Sequence, residues 1–152
     1  MAIAYLGLGT NLGNKRQNLI TAAALLAERV GDILALSGFY ETEPWGFESD
    51  HSFFNAAIKL RTSLSPSALL TFTQEIEIEL GRTAKSKEFY QDRLIDIDLL
   101  LYDDVVLDTA DLKIPHPLMA KRKFVLEPLS EIAPFVVHPI LKQSIKDLKE
   151  QV

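Results

Sequence analysis

The sequence predicts an α+β fold in which an antiparallel sheet carries helices on one face. Short apolar or alternating segments typical of strands are separated by two segments with the 3.6-residue periodicity of amphipathic helices. Their order along the chain is β-α-β-β-α-β, and two short strands of a β-ribbon and two short helices follow. Because this order matches the split βαβ arrangement, the predicted architecture is ferredoxin-like.

The first half of the chain is predicted to contain a strand, a helix and a second strand. Residues 2–8 alternate as a strand does, and the loop after them leads to Asn14. Asn14 followed by Gln17 resembles a capping box, which predicts a helix over the apolar stripe of residues 19–30. Residues 33–40 are predicted to form the second strand.

The second half begins with a predicted strand over residues 53–60 and a well-marked helix. Ser65 is suited to cap that helix, Pro66 to occupy its first turn and Gly81 to end it. The apolar run of residues 94–102 predicts the last strand of the sheet. The remaining elements are ribbon strands over residues 105–107 and 112–114 and helices between residues 117 and 131 and between 144 and 151.

Length, composition and charge exclude several classes of protein. With 152 residues the chain can bury a sizeable core, and we expect residues 1–152 to form a single domain. The absence of cysteine excludes disulfides, thiolate metal sites and a cysteine nucleophile, and it fits a cytoplasmic protein. The net charge of -5 argues against a nucleic-acid partner. No apolar stretch reaches the roughly 18 residues that span a bilayer, so we expect no membrane partner.

Two carboxylates, Asp96 and Asp98, lie inside the apolar run of residues 94–102. Residues i and i+2 of a strand project to the same side, so their Cα atoms should lie on the order of 6.5 Å apart. Two neighbouring anions in an apolar strand are costly unless they are protonated, paired or bound to a cation. One or two Mg²⁺ ions would remove that cost, but so would arginine partners or a solvated strand end. The pattern alone favours neither the metal nor the structural interpretation.

Cations and a histidine lie close to the acidic strand in the sequence. Arg82 and Arg93 bracket a polar segment before the strand, and His116 and Arg122 follow it. The planar fork of arginine suits phosphate oxygens, and two acids with several cations are what a metal–nucleotide site needs. Taken singly, each arginine is more often a solvated surface cation, and His116 is more often a turn histidine.

Aromatic residues could supply the second half of such a site, because a flat heteroaromatic ring binds well between aromatic faces. Asn55 has an amide that donates and accepts, so together with Thr42 it could bind the edge of that ring. One of Phe53 and Phe54 must instead belong to the core, because adjacent strand residues face opposite sides. The aromatic residues concerned are Trp45, Phe53, Phe54 and Phe124.

Taken together, these motifs resemble a known family, the 6-hydroxymethyl-7,8-dihydropterin pyrophosphokinases of folate biosynthesis. The similarity extends over nearly the whole chain. Its most specific parts are the block that contains Asp96 and Asp98 and the block Pro115-His116-Pro117-Leu118-Met119. The first of these blocks covers residues 93–100, and further matching blocks cover residues 5–13, 39–44, 54–57, 74–77, 81–82, 124–126 and 128–129.

The resemblance implies transfer of a pyrophosphoryl group from the co-substrate ATP to the hydroxymethyl oxygen of the pterin, with release of AMP. It implies that Asp96 and Asp98 hold two Mg²⁺ ions against the phosphates. It also implies catalytic roles for Arg82 and Arg93 and a mobile lid over residues 82–92. The implied nucleotide contacts are Gln74, Glu77, Arg82, Arg93, Leu99, His116 and Arg122. The implied pterin contacts are Thr42, Pro44, Trp45, Phe53, Asn55 and Phe124.

The residues alone leave two other functions open. A non-catalytic ferredoxin-like module that senses a small ligand would share the fold, but it would leave the two acids unexplained. Another Mg²⁺-dependent nucleotidyl or phosphoryl transferase would share the metal site without needing the aromatic residues.

Overall fold

The computed structural model describes residues 1–43, 52–81 and 94–152. The first seven elements are β1 (Ala2–Thr10), α1 (Lys15–Arg29), β2 (Asp32–Leu36), β3 (Tyr40–Thr42), β4 (Phe53–Thr62), α2 (Pro66–Glu79) and β5 (Asp96–Tyr102). They are followed by β6 (Leu107–Asp108), β7 (Lys113–Ile114), a 3-10 turn (Met119–Lys121), α3 (Lys123–Ile132) and α4 (Ile145–Glu150). No helix in these described ranges is long and apolar enough to cross a membrane.

The main sheet is antiparallel throughout. Strands β2, β4, β1 and β5 are neighbours in that order, and the short strand β3 pairs with the beginning of β4. Strands β6 and β7 form a separate two-stranded ribbon. This topology confirms the predicted ferredoxin-like α+β fold with a C-terminal ribbon and short helices.

Each face of the sheet packs against its own apolar core. On the first face, alternate β1 residues such as Leu6 and Leu8 pack with Ile97 of β5 and with the buried stripes of α1 and α2. On the second face, Tyr5 of β1 and Leu101 of β5 pack against α3 and α4. The helices of the β-α-β-β-α-β unit therefore share one face, and the two C-terminal helices cover part of the other.

Side-chain caps begin the two long helices where the sequence predicts. The Asn14 side chain accepts a hydrogen bond from the Gln17 backbone N–H (3.1 Å). Gln17 donates its side-chain amide to Thr21 instead of returning to Asn14, so only half of the predicted capping box forms. Ser65 accepts from the Ala68 N–H (3.2 Å) and begins α2. These caps fix the helix starts, because they satisfy backbone donors that have no partner within the helix.

The single strand predicted over residues 33–40 is wrong, because the chain leaves the sheet between β2 and β3. The Ser37 hydroxyl accepts the Ala57 N–H (2.8 Å), while the Ser37 N–H donates to the Ala57 carbonyl oxygen (2.9 Å). The next N–H, from Gly38, donates to the Glu131 carboxylate of α3 instead of to a strand. A side-chain hydroxyl thus replaces one rung of the ladder and ends β2 early.

The predicted helix between residues 117 and 131 is also divided. A 3-10 turn over Met119–Lys121 is followed by Arg122, whose backbone is extended (φ −114°, ψ 102°), and α3 begins only at Lys123. The break places Arg122 at the N-terminal cap position of α3 instead of inside a helix.

Candidate active site

Three neighbouring strands present a row of polar and glycine residues on the second face of the sheet. The register pairs Asn55 of β4 with Gly9 of β1, and Gly9 in turn with Asp96 of β5. Directly paired residues of an antiparallel ladder share a face, and neighbouring strands lie about 4.8 Å apart. The Cα atoms of Asn55 and Asp96 therefore lie on the order of 10 Å apart, on either side of Gly9.

Asp96 and Asp98 share this second face and are half-buried. Ile97 between them points to the core of the first face. The Ile97 N–H, on the outer edge of the sheet, donates to Glu77 Oε2 of α2 (2.8 Å). The Glu77 side chain is only 5% exposed, so this bond is shielded from water and holds the strand that carries both aspartates.

Between Asn55 and Asp96 the surface of the sheet is flat, because Gly9 has no side chain; this surface is the Gly9 floor. A Cβ atom at this position would lie 3.2 Å from Asn55 Oδ1 and 3.6 Å from the ring of Phe53. Phe53 therefore lies on the face of the aspartates, whereas Phe54 packs against the core of the opposite face. Phe54 is therefore the phenylalanine that belongs to the core, and Phe53 is the one on the side of the site.

Thr42 of β3 orients the side chain of Asn55. The Asn55 Nδ2 group donates to Thr42 Oγ1 (2.7 Å), and Asn55 is 5% exposed. Because Nδ2 is engaged by Thr42, Oδ1 is the amide atom that faces the space above Gly9. The pair thus presents a fixed hydrogen-bond acceptor at one end of the floor.

His116 lies at the other end, close to Asp96. Its backbone N–H donates to the Leu100 carbonyl oxygen (3.0 Å), which ties the segment after β7 to β5. Its Nδ1 accepts from the Leu118 N–H (3.2 Å), so the proton of the neutral imidazole is on Nε2. Burial lowers the pKa of His116, and the negative charge of Asp96 opposes that shift. His116 therefore offers an N–H donor beside the aspartates.

Arg122 and Phe124 bring a cation and an aromatic ring from the start of α3. Arg122 is 4% exposed, and its Cζ atom lies 5.6 Å from the centroid of the Phe124 ring. Burial lowers the pKa of Arg122, but a guanidinium remains charged at neutral pH. Phe124 is half-buried. A buried positive charge beside an aromatic ring suits a ligand that combines an anionic group with a flat ring.

The other predicted site residues occupy different surroundings. Gln74 is exposed on α2. Leu99 is buried in the core of the first face, so any contact that it makes with a ligand would come from its backbone at the sheet edge. Four predicted site residues and the predicted lid (82–92) lie outside the described residues; the four are Pro44, Trp45, Arg82 and Arg93.

Glu131 and Tyr40 are residues near the site that the sequence did not indicate. The Tyr40 hydroxyl donates to Glu131 Oε1 (2.6 Å), and Tyr40 pairs directly with Asn55 in the sheet. The hydrogen bond to Glu131 raises the pKa of Tyr40 to about 12. The two residues are 91 positions apart, so no local pattern could have linked them.

The donor set of the described residues fits a magnesium–nucleotide site better than a closed metal site. In the ranges 1–43, 52–81 and 94–152, no group of three or more His, Cys, Asp or Glu side chains could hold a metal ion. Mg²⁺ is commonly bound by one or two carboxylates together with substrate phosphates and water. Asp96 and Asp98 can provide the carboxylate part of such a set.

Comparisons with known proteins identify close sequence relatives. The sequence profile of the family 7,8-dihydro-6-hydroxymethylpterin-pyrophosphokinase (HPPK) matches residues 5–134. A Porphyromonas gingivalis protein named 2-amino-4-hydroxy-6-hydroxymethyldihydropteridine pyrophosphokinase is 52% identical over 141 residues, covering 91% of this chain and 95% of that protein. The Aquifex aeolicus protein of the same name is 42% identical over 151 residues, covering 99% of this chain and 92% of that protein.

A solved structure shares the fold at lower identity. The crystal structure of Plasmodium falciparum HPPK-DHPS, wild type with STZ-DHP, superimposes with a TM-score of 0.80 at 19% sequence identity. The alignment covers 99% of this chain and 43% of that longer chain. At this identity the similarity establishes the fold alone.

Proposed function

The chain belongs to the 7,8-dihydro-6-hydroxymethylpterin-pyrophosphokinase family, and from this membership we propose how its residues carry out the reaction. The enzyme transfers pyrophosphate from ATP to the hydroxymethyl group of hydroxymethyldihydropterin. The observation that carries the proposal is the row Asn55–Gly9–Asp96, in which an amide acceptor and a carboxylate lie at opposite ends of one flat floor. We propose the acceptor as a contact for the edge of the pterin ring and the carboxylate as a ligand of Mg²⁺.

The pterin lies on the Gly9 floor in this proposal. The acceptor Oδ1 of Asn55, fixed by Thr42, binds an N–H group on the ring edge. Phe53, which borders the floor, and Phe124, at the start of α3, provide aromatic surface for the ring. We also propose Pro44 and Trp45 as pterin contacts. In this orientation the hydroxymethyl arm points along the row toward Asp96.

The phosphates of ATP lie beside the aspartates in this proposal. His116 donates from Nε2 to a phosphate oxygen, and the buried guanidinium of Arg122 offsets phosphate charge. Further contacts are proposed for Arg82, Arg93, Gln74 and the backbone of Leu99. Glu77 contributes through its bond to Ile97, because that bond fixes the strand that bears Asp96 and Asp98.

Asp96 and Asp98 are the residues that would hold Mg²⁺, and we propose two ions. When bound, Mg²⁺ neutralises phosphate charge and acidifies the attacking hydroxyl, so no separate strong base is needed. What the chain itself supplies is the fixed alignment of the two substrates, which lowers the entropic cost of an in-line attack on the β-phosphorus. Breaking the bond to the α-phosphate then releases AMP.

We further propose that residues 1–152 act as a single catalytic domain in the cytoplasm, without a nucleic-acid or membrane partner. The chain contains more acidic than basic residues, 21 Asp and Glu against 16 Lys and Arg, which is unfavourable for binding a polyanion.

Product analysis tests the proposed function. The protein is incubated with hydroxymethyldihydropterin, ATP and Mg²⁺, and the nucleotide products are separated by chromatography. AMP formed in equal amount to a diphosphorylated pterin is the expected result. ADP as the product, or AMP formed equally fast without the pterin, would contradict it.

A further inference from the structure

Strand β3 has only three residues, Tyr40–Thr42, yet it carries the hydroxyl that orients Asn55. A strand this short makes few ladder hydrogen bonds, so contacts from other elements add to its stability. Side chains from other elements fasten it. Tyr40 and Thr42 lie on the second face with Asn55, whereas Glu41 lies on the first.

On the second face, one carboxylate of α3 receives three hydrogen bonds. The Tyr40 hydroxyl donates to Glu131 Oε1 (2.6 Å), and the Gly38 N–H donates to both carboxylate oxygens (3.1 and 3.2 Å). Hydrogen bonds to an ionised acceptor are about twice as strong as neutral ones. The raised pKa of Tyr40, about 12, agrees with this close contact. Glu131 thus joins the start of β3 to α3.

On the first face, a lysine and a serine fasten the same strand. Ser52 donates its hydroxyl to Glu41 Oε2 (2.8 Å), and Lys15 of α1 donates to the Ser52 hydroxyl and carbonyl oxygens (3.2 Å each). Strand β3 is therefore held from both sides of the sheet, at consecutive residues. Loss of the α3 contact would leave β3 held by its pairing with β4 and by Glu41, without the Tyr40 anchor on the face of Thr42.

We propose that Glu131 is a positioning residue for pterin recognition. It holds Tyr40, Tyr40 fixes the register of Thr42 two residues later, and Thr42 sets the orientation of the Asn55 amide. Helix α3 bears both Glu131 and, near its start, Phe124. The same helix therefore carries Phe124 and, through Glu131, helps to position Asn55. This inference rests on the proposed function, because it assumes that Asn55 and Phe124 bind the pterin.

One variant of Glu131, one of Tyr40 and a matched control test the proposal. Glu131→Ala removes the carboxylate, Tyr40→Phe removes one of its two donors, and Glu127→Gln removes a charge one turn away on the same helix. Glu127 acts on Tyr40 through its charge and pairs with Lys123 of the same helix (3.7 Å). Steady-state kinetics would give the KM for the pterin and for ATP separately, and thermal unfolding would report stability.

In Glu131→Ala we expect the KM for the pterin to rise about tenfold, as for the loss of a charged hydrogen bond, with the KM for ATP unchanged within about twofold. Tyr40→Phe should give a smaller rise of the same kind, and Glu127→Gln none. An unchanged pterin KM in folded Glu131→Ala, or equal rises for both substrates, would overturn the proposal. If Glu131→Ala does not fold, Tyr40→Phe decides, because it removes the contact between β3 and α3 without removing the carboxylate. A rise in the pterin KM alone supports the proposal, and an unchanged pterin KM overturns it.

A spectroscopic measurement separates this proposal from the proposed function. In protein labelled with ¹³C-tyrosine, the Tyr40 resonance should remain that of a neutral phenol up to about pH 11. In Glu131→Gln it should titrate nearer the ordinary value of about 10. A wild-type protein that forms no AMP would refute the enzymatic function without affecting this titration. An unshifted titration in Glu131→Gln would refute the positioning role even in an active enzyme.

Discussion

Substituting Gly9 with alanine places one methyl group on the floor where the pterin is proposed to lie. Its Cβ would lie 3.2 Å from Asn55 Oδ1 and 3.6 Å from the Phe53 ring. The first distance is shorter than an ordinary contact, and Asn55 cannot easily retreat because its amide donates to Thr42 at 2.7 Å. Gly9 does not have a positive φ, so the backbone itself tolerates alanine.

The alanine side chain has two opposing effects on the free energy of unfolding, and they partly offset each other. Alanine in a strand gains about 0.5–1 kcal/mol over glycine, while overpacking costs about 1–3 kcal/mol. We therefore expect a net loss of stability of about 0–2.5 kcal/mol, and the protein should fold. The bound ring, by contrast, would have to rise off the floor. One misplaced methyl group in a pocket typically costs about 1–3 kcal/mol, so pterin affinity should fall about 5- to 150-fold.

Isothermal titration calorimetry with the pterin and a non-hydrolysable ATP analogue would measure this loss. Gly7→Ala is the matched control, because its Cβ would meet only the Leu100 side chain at ordinary distances of 3.5–3.7 Å. We expect Gly7→Ala to retain pterin affinity within about threefold, or less than 0.7 kcal/mol. Equal affinities for wild type and Gly9→Ala, with both proteins folded, would refute the assignment of the Gly9 floor to the pterin.

Three further outcomes follow from the structure. Glu77→Ala leaves the buried Ile97 N–H without its acceptor, so the free energy of unfolding in urea should fall by about 1–3 kcal/mol. Glu77→Gln, which keeps an acceptor oxygen, should lose less; equal losses would contradict this role. Gly31→Ala drives its Cβ into the backbone oxygen of Arg61, and unfolding should show a loss above about 3 kcal/mol; near wild-type stability would contradict the geometry. Burial lowers the pKa of His138, whose Nδ1 also accepts two backbone N–H groups. The unfolded chain therefore takes up a proton first, and stability should decline as pH falls below about 6.5 toward the lowered pKa. In His138→Gln, the free energy of unfolding measured in urea should decline less steeply across that pH interval. The same pH dependence as in wild type would contradict this role of His138.

The sequence predicted the parts of the site that depend on strand periodicity. The alternation of side chains placed Asp96 and Asp98 on one face, and it required Phe53 and Phe54 to face opposite sides. Both outcomes depend only on neighbouring residues in one strand, so the local pattern was sufficient. The helix caps at Asn14 and Ser65 were predictable for the same reason.

Contacts between distant segments could not be predicted in this way. The break after β2 depends on the Ser37 hydroxyl replacing a ladder bond and on Glu131 capturing the Gly38 N–H from another helix. Glu77 faces Ile97 only because α2 packs along the edge of β5. Such partners are set by tertiary packing, and a single sequence contains no periodic signal for them.

In the proposed function, Asp96 and Asp98 bind Mg²⁺ together with the phosphates of ATP. Calorimetric titration of a non-hydrolysable ATP analogue, with and without Mg²⁺, tests it in wild type and in the double variant Asp96→Asn, Asp98→Asn. We predict that Mg²⁺ raises the affinity of wild type by at least about tenfold, or 1.4 kcal/mol, and has little effect on the double variant. Without Mg²⁺ the double variant should bind the analogue at least as well as wild type, because two repelling charges are gone. The same Mg²⁺-dependent gain in both proteins would contradict the account.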